Sequence, residues 1–238
     1  GNKKKKDIIV LLSRQHPPEV TGFLAFQAFV ETLLENTPEM KAFRKKYRIL
    51  MFPLMNPDGV DMGHWRHNAG GIDLNRDWAY YHQPETKVMT THVLTAAKRS
   101  KSRVVVGLDF HSTWADVYYT NSAHKYSVLP NFKEAWLRGI EALIPDYTVN
   151  EKPFSPTSPI SKNWFFRTFK ADAVTYEIGD ETNRIFIKKM IFEREFFIGN
   201  RITSPFLRPK LSSPGLKFRQ LSMNHFSVRT RPILNWNE

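Results

Sequence analysis

With 238 residues, 41% of them hydrophobic and 13% aromatic, the chain holds enough apolar material for one sizeable core and is short for two. The absence of cysteine excludes disulfides, zinc–thiolate sites and thiol nucleophiles together, so any metal must be held by His, Asp or Glu. The net charge of +12 sits mostly at the ends: residues 1–7 carry +3 and residues 203–238 carry +5. That distribution reads as solvated surface in preference to a nucleic-acid groove, and no nucleic-acid partner is expected.

Taken in order, "DIIVLLS" (7–13) is a continuous β-branched and leucine run, the pattern of a strand buried on both faces. The opening "GNKKKKDIIVLL" lacks the length and the small-residue cleavage site of a signal peptide. No stretch approaches a membrane-spanning run, so membrane insertion is not expected. Gly1 stands in place of an initiator methionine, which is compatible with processing and with an export segment upstream.

Apolar residues at Phe23, Leu24, Phe26, Ala28, Val30 and Leu33 predict a helix over about 19–36, and "PEMKAFRKKY" predicts a short one. "RILMFPLM" (48–55) reads as a second strand and "NPDG" (56–59) as a turn. The stretch from there to about residue 81 has no periodicity, and a loop that long inside one domain points to function.

Pro84 near a first helical turn opens a helix running to about residue 100. "RVVVGLDF" (103–110) is again a buried strand, "DVYYT" a short one, "NFKEAWLRGIEALI" and "NWFFRTF" helices, "AVTYEI" (173–178) a strand and "NRIFIKKMIFEREFF" a closing helix. Strands alternating with helices imply an α/β fold: a mixed, largely parallel twisted sheet with helices on both faces. Residues 1–204 form the expected domain. Four prolines interrupt the basic segment 205–238, which reads as a tail outside the core.

In such sheets functional groups gather at the carboxyl ends of the strands. The first strand exit gives His16 and Glu19 around a proline pair, the third gives His111, and the exit near residue 178 gives Glu177. Two histidines and one carboxylate match the protein ligands of a catalytic zinc that keeps a position for water. Pro17 disfavours helical geometry at His16, so His16 and Glu19 would converge through a turn.

The ordered set "HPPE", "NPDG", "WR", "DLNRD", "QPET", "DFHS" and "TYEIG" makes the pattern specific. With it, residues 7–200 resemble the zinc carboxypeptidases of the carboxypeptidase A type, peptidase family M14. The resemblance implies one zinc ion per chain, bound by His16, Glu19 and His111, and a peptide or protein C-terminus as substrate. It implies Glu177 as general base, Arg66 as oxyanion stabiliser, Asn75 and Arg76 as the clamp on the free C-terminal carboxylate, and Asp73 as the group orienting His16.

The physical chemistry agrees with those roles, because arginine engages a carboxylate through two parallel hydrogen bonds and a carboxylate on a ligand histidine fixes its tautomer. Alignment of Trp164 with a family tryptophan would put Lys162 beside the pocket for the substrate's last side chain, favouring C-terminal Glu or Asp. The spacings between the zinc ligands and Glu177 are short for the family, which implies trimmed loops and a more open cleft. The family's mobile tyrosine has no counterpart at its usual place; Tyr147 is the nearest earlier tyrosine.

Two other readings stand beside this one. A zinc deacylase of N-acyl amino acids, similar to the aspartoacylase group, shares H-x-x-E and D-L-N-R, although the N-P-D-G turn and the W-R pair favour the peptidase. A non-enzymatic basic binding protein is the reading from another class, and the complete set of ligands with Glu177 weighs against it.

Overall fold

The computed structural model describes residues 5–180. β1 (Asp7–Ser13) shows why an uninterrupted apolar strand forms in the middle of a sheet. Ile9 and Leu11 enter one core cluster and Ile8, Val10 and Leu12 another, so successive side chains fill opposite faces and each face needs its own cover. On the first face that cover comes from α1 (Val20–Leu34), α2 (Pro38–Lys46) and α5 (Phe132–Leu143), through Phe26, Phe29, Met40, Phe43, Trp136 and Ile140. On the second it comes from α4 (Pro84–Ser100) and α6 (Ser161–Phe169), through Met89, Val93, Trp164 and Phe165, with Trp78 from the long connection.

The sheet has six strands in the order β2-β1-β3-β6-β4-β5. β2 (Tyr47–Phe52), β1, β3 (Val104–Thr113) and β6 (Asp172–Gly179) run parallel. β4 (Val117–Asn121) pairs antiparallel with β6, and β5 (Glu151–Phe154) continues parallel to β4 at the edge. The expected mixed, largely parallel sheet with helices on both faces is therefore the observed fold. β5 escapes a periodicity reading because it is four residues long, mostly exposed and carries Pro153, a combination tolerated only at an edge.

One local reading is corrected. "NPDG" begins a short helix, α3 (Pro57–Asp61), where a simple turn was expected. Asn56 caps it by accepting from Gly59 N at 3.0 Å, and Pro57 fits the first helical position, where its missing N–H costs nothing. The remaining connection to α4 is irregular apart from a 3-10 turn at Leu74–Arg76. The expected helix over 183–197 and the tail over 205–238 lie outside the described residues. Among the described residues, no helix is long and apolar enough to cross a membrane.

Candidate metal centre and cleft

The chain leaves β1 through Arg14, whose φ of 58° turns the backbone sharply, and runs through His16 and the proline pair into α1. Glu19 occupies the N-cap of α1 but makes no side-chain cap bond, because its carboxylate faces the imidazoles. Glu19 Oε1 lies 2.7 Å from His16 Nδ1, Glu19 Oε2 lies 2.7 Å from His111 Nδ1, and the two Nδ1 atoms are 3.2 Å apart. One donor atom from each of the three residues falls within 4.8 Å of the others.

The outward nitrogens are held as firmly. His16 Nε2 is 2.9 Å from Asp73 Oδ1, and His111 Nε2 is 3.0 Å from Asp109 Oδ2. A carboxylate on each Nε2 fixes the proton there and leaves the Nδ1 lone pairs pointing inward. Glu19 Oε2 is buried and, although close to His111, has no hydrogen bond of acceptable geometry. Electron pairs from two imidazoles and a carboxylate thus converge on one point, and three carboxylates surround two imidazoles. The residues fit a zinc ion bound through nitrogen and oxygen.

The titration behaviour has the same origin. Burial opposes charge on both histidines, yet bonds to Asp73 and Glu19 raise His16, and the charges of Asp109 and Glu19 raise His111. Glu19 is pulled down to about 2, against burial, chiefly by the His111 charge. Asp73 is likewise lowered, against burial, by its bond to His16.

Asp109 was not anticipated from the sequence. It sits two residues before His111 on β3, so both side chains project from the same face. Its Oδ2 also accepts from Gln15 Nε2 at 2.6 Å and from the Ser161 hydroxyl, and Gln15 Oε1 accepts from Trp78 Nε1 at 2.8 Å. The available signal was the "DFH" alternation, which places two polar side chains on one face of an otherwise apolar strand.

A cleft of about 520 Å³ opens at this centre, and His16, Glu19, Arg66, Asn75, Arg76, Lys162 and Glu177 all line it. Glu177 is the direct register partner of His111 on the neighbouring strand, and burial raises its carboxyl above the ordinary value. Arg66 donates from Nε to Asp73 Oδ2 at 2.8 Å. Asn75 Oδ1 accepts from Ser161 N at 3.0 Å, while the Arg76 guanidinium reaches back to Asn75 O at 2.9 Å and remains half exposed.

Lys162 is 1% exposed and donates to Thr120 O, Asn121 Oδ1 and Asn163 Oδ1 at 3.0, 2.7 and 3.0 Å. All three partners are neutral, and burial pushes its ammonium down to about 8. Tyr147 lies away from the cleft, its hydroxyl donating to Tyr118 OH at 3.4 Å in the core; the tyrosine that lines the cleft is Tyr119.

Comparison with known proteins bears on the family and the fold. The family model described as zinc carboxypeptidase matches residues 1–192. The chain is 32% identical over 112 residues to cytosolic carboxypeptidase 2 of Danio rerio, covering 47% of this chain and 16% of that protein. It is 35% identical over 75 residues to cytosolic carboxypeptidase 1 of Mus musculus, covering 32% and 6%. A metallo-carboxypeptidase from Burkholderia cenocepacia shares the fold with a TM-score of 0.70 at 17% identity over 85% of this chain and 58% of its own. Carboxypeptidase A from Helicoverpa armigera does so with a TM-score of 0.63 at 18% identity over 83% and 60%. The chain thus spans less than two thirds of each of these relatives.

Proposed function

Because the chain belongs to the zinc carboxypeptidase family M14, we propose that it is a metallocarboxypeptidase hydrolysing the last peptide bond of a peptide or protein, with Glu177 as its general base. The observation carrying this reading is the convergence of His16, Glu19 and His111 on one edge of a cleft that also takes Asn75, Arg76 and Glu177 in its wall.

His16, Glu19 and His111 hold the metal, with Asp73 fixing the tautomer and ring orientation of His16. Zinc held by these residues would supply Lewis acidity, making water a nucleophile near neutral pH and polarising the scissile carbonyl. The Glu177 carboxylate takes a proton from the attacking water and delivers it to the leaving amine, a transfer worth about 10²–10⁴ in rate. Its raised affinity for a proton, caused by burial, suits a group that must accept one and then give it up.

Arg66 presents its remaining guanidinium N–H groups to the carbonyl oxygen as charge develops, while Asp73 holds it by Nε. Asn75 and Arg76 bind the free C-terminal carboxylate, so an internal peptide bond, which lacks that carboxylate, is rejected. Lys162, a buried cation with neutral partners at the cleft wall, sets a preference for a C-terminal Glu or Asp side chain.

Metal content together with cleavage of a peptide mixture, run on the protein and on Glu177→Gln, tests the reading. The expected result is one zinc per chain in both, release of C-terminal residues by the first, and loss of at least about 10²-fold in the second. Equal turnover by both, or turnover of an N-acyl amino acid with none of any peptide, overturns it.

A further inference from the structure

The two most exposed large hydrophobic residues among those described are tryptophans beside the candidate metal centre. Trp65 is 81% and Trp114 84% exposed, whereas Trp78, Trp136 and Trp164 are buried in the core. Large indole surface left in water is unfavourable, and two such residues sharing one pocket rimmed by polar groups fit a surface that contacts a ligand.

Both indoles line a second pocket, of about 290 Å³, together with Pro18 and Asp180. His16, Glu19, Arg66, Ser112 and Thr113 line this pocket and the larger cleft alike, so the two are halves of one trough divided at the metal ligands. The halves differ in chemistry. Asn75, Arg76 and Lys162 belong to the first alone, and Trp65, Trp114 and Asp180 to the second alone.

That division has a direction, which rests on the carboxypeptidase reading. With the C-terminal residue held on the Asn75, Arg76 and Lys162 side, the acyl part of the substrate must leave the scissile bond on the tryptophan side. The first side chain it presents there is that of the residue preceding the cleaved bond. Indole walls favour large apolar or aromatic side chains, and the Asp180 carboxylate opposes a second carboxylate. Asp180 N donates to Thr113 O at 2.7 Å, which ties the acidic residue to the strand exit carrying Trp114.

We propose that Trp65 and Trp114 form the binding site for the side chain immediately before the scissile bond and select a bulky apolar residue there. A carboxypeptidase built this way removes a terminal residue from an aromatic or large aliphatic neighbour and works poorly along an uninterrupted acidic run.

The test compares N-blocked Ala-Phe-Glu, Ala-Ala-Glu and Ala-Glu-Glu, which share one C-terminal residue, on the zinc-loaded full chain and on Trp65→Ala, Trp114→Ala and Trp114→Phe. The expected order of kcat/KM is Phe, then Ala, then Glu, with Phe over Ala by about tenfold or more and the difference mainly in KM. Each alanine variant brings the Phe-to-Ala ratio close to one, and Trp114→Phe retains most of it. A second readout needs no turnover: on the Glu177→Gln background, blocked Ala-Phe-Glu shields tryptophan fluorescence from acrylamide and blocked Ala-Glu-Glu does not. Equal rates on the three peptides, or a Phe preference that survives either alanine substitution, overturns the proposal and leaves the carboxypeptidase reading standing. Cleavage of none of them overturns both.

Discussion

His111 and Asp109 lie two residues apart on one strand and meet side chain to side chain, Nε2 to Oδ2 at 3.0 Å, with both groups buried. The strand alternation that puts them on one face makes Asp109 the fixed support of His111, a proposed metal ligand, and Gln15 and Ser161 hold Asp109 in turn. Asp109→Asn keeps the volume but offers a weaker acceptor to the imidazole. The expected outcome is zinc affinity lowered about 10–100-fold, measured by competition against a chelator, with the circular dichroism spectrum of the folded chain retained.

In the proposed mechanism Asn75 and Arg76 make a different kind of contribution, to the substrate's terminus and not to the metal. Arg76→Ala or Asn75→Ala is expected to raise KM for peptides with a free C-terminus while zinc content stays at one per chain. A lost charge-assisted hydrogen bond is worth about 1.5–3 kcal/mol, or roughly 10- to 100-fold. Competition by a C-terminally amidated peptide, which lacks the charge these residues bind, is expected to be weak in the wild type and little altered in either variant.

If Lys162 sets the proposed preference for acidic ends, that preference has a pH dependence with a definite sign. Burial lowers its ammonium to about 8, so the free enzyme carries the charge below that value and loses it above. On peptides ending in Glu, kcat/KM is expected to fall as pH rises through about 8, beyond any change seen with peptides ending in Leu, because kcat/KM reports groups of the free enzyme. Lys162→Met removes the pH-dependent difference and moves preference from Glu toward Leu. A Glu-to-Leu ratio that is flat with pH and insensitive to the substitution would remove Lys162 from specificity.

At Gly22 the first turn of α1 passes directly over the end of β3. A Cβ there would stand 2.5 Å from His111 O and 2.7 Å from His111 C, both backbone atoms with no room to yield. Gly22→Ala is expected to lower the melting temperature by several degrees and to weaken zinc binding in the same variant, since the displaced backbone is that of a proposed ligand. Loss of stability without any change in zinc affinity would separate the two.

Much of this arrangement is legible in the residues. Continuous apolar runs such as "DIIVLLS" and "RVVVGLDF" can satisfy both faces of a sheet only when helices cover each side, and polar groups at their exits mark where the site collects. What periodicity could not reveal was non-local. β5 has no pattern of its own because it depends on β4 for its hydrogen bonds. The direction of β4 is set by a connection after Thr113, which no spacing encodes. Asp109 was hidden inside an apolar run, and the contrast between the two halves of the trough depends on where Trp65 and Trp114 come to lie. Glu177 could be placed because it ends a strand; that it stands in direct register with His111 required the ladder itself.

The ladder between β1 and β3 bears on the order of assembly. His16 and Glu19 are neighbours in sequence, but His111 joins them only when β3 docks against β1, a pairing that brings together residues almost a hundred positions apart. With the three proposed ligands, a chain in which that pairing has not formed would offer two donors and bind zinc weakly, whereas the closed pairing would offer three. On the proposed ligand set, zinc capture is expected late in folding, and its rate would report when the central strands have found each other.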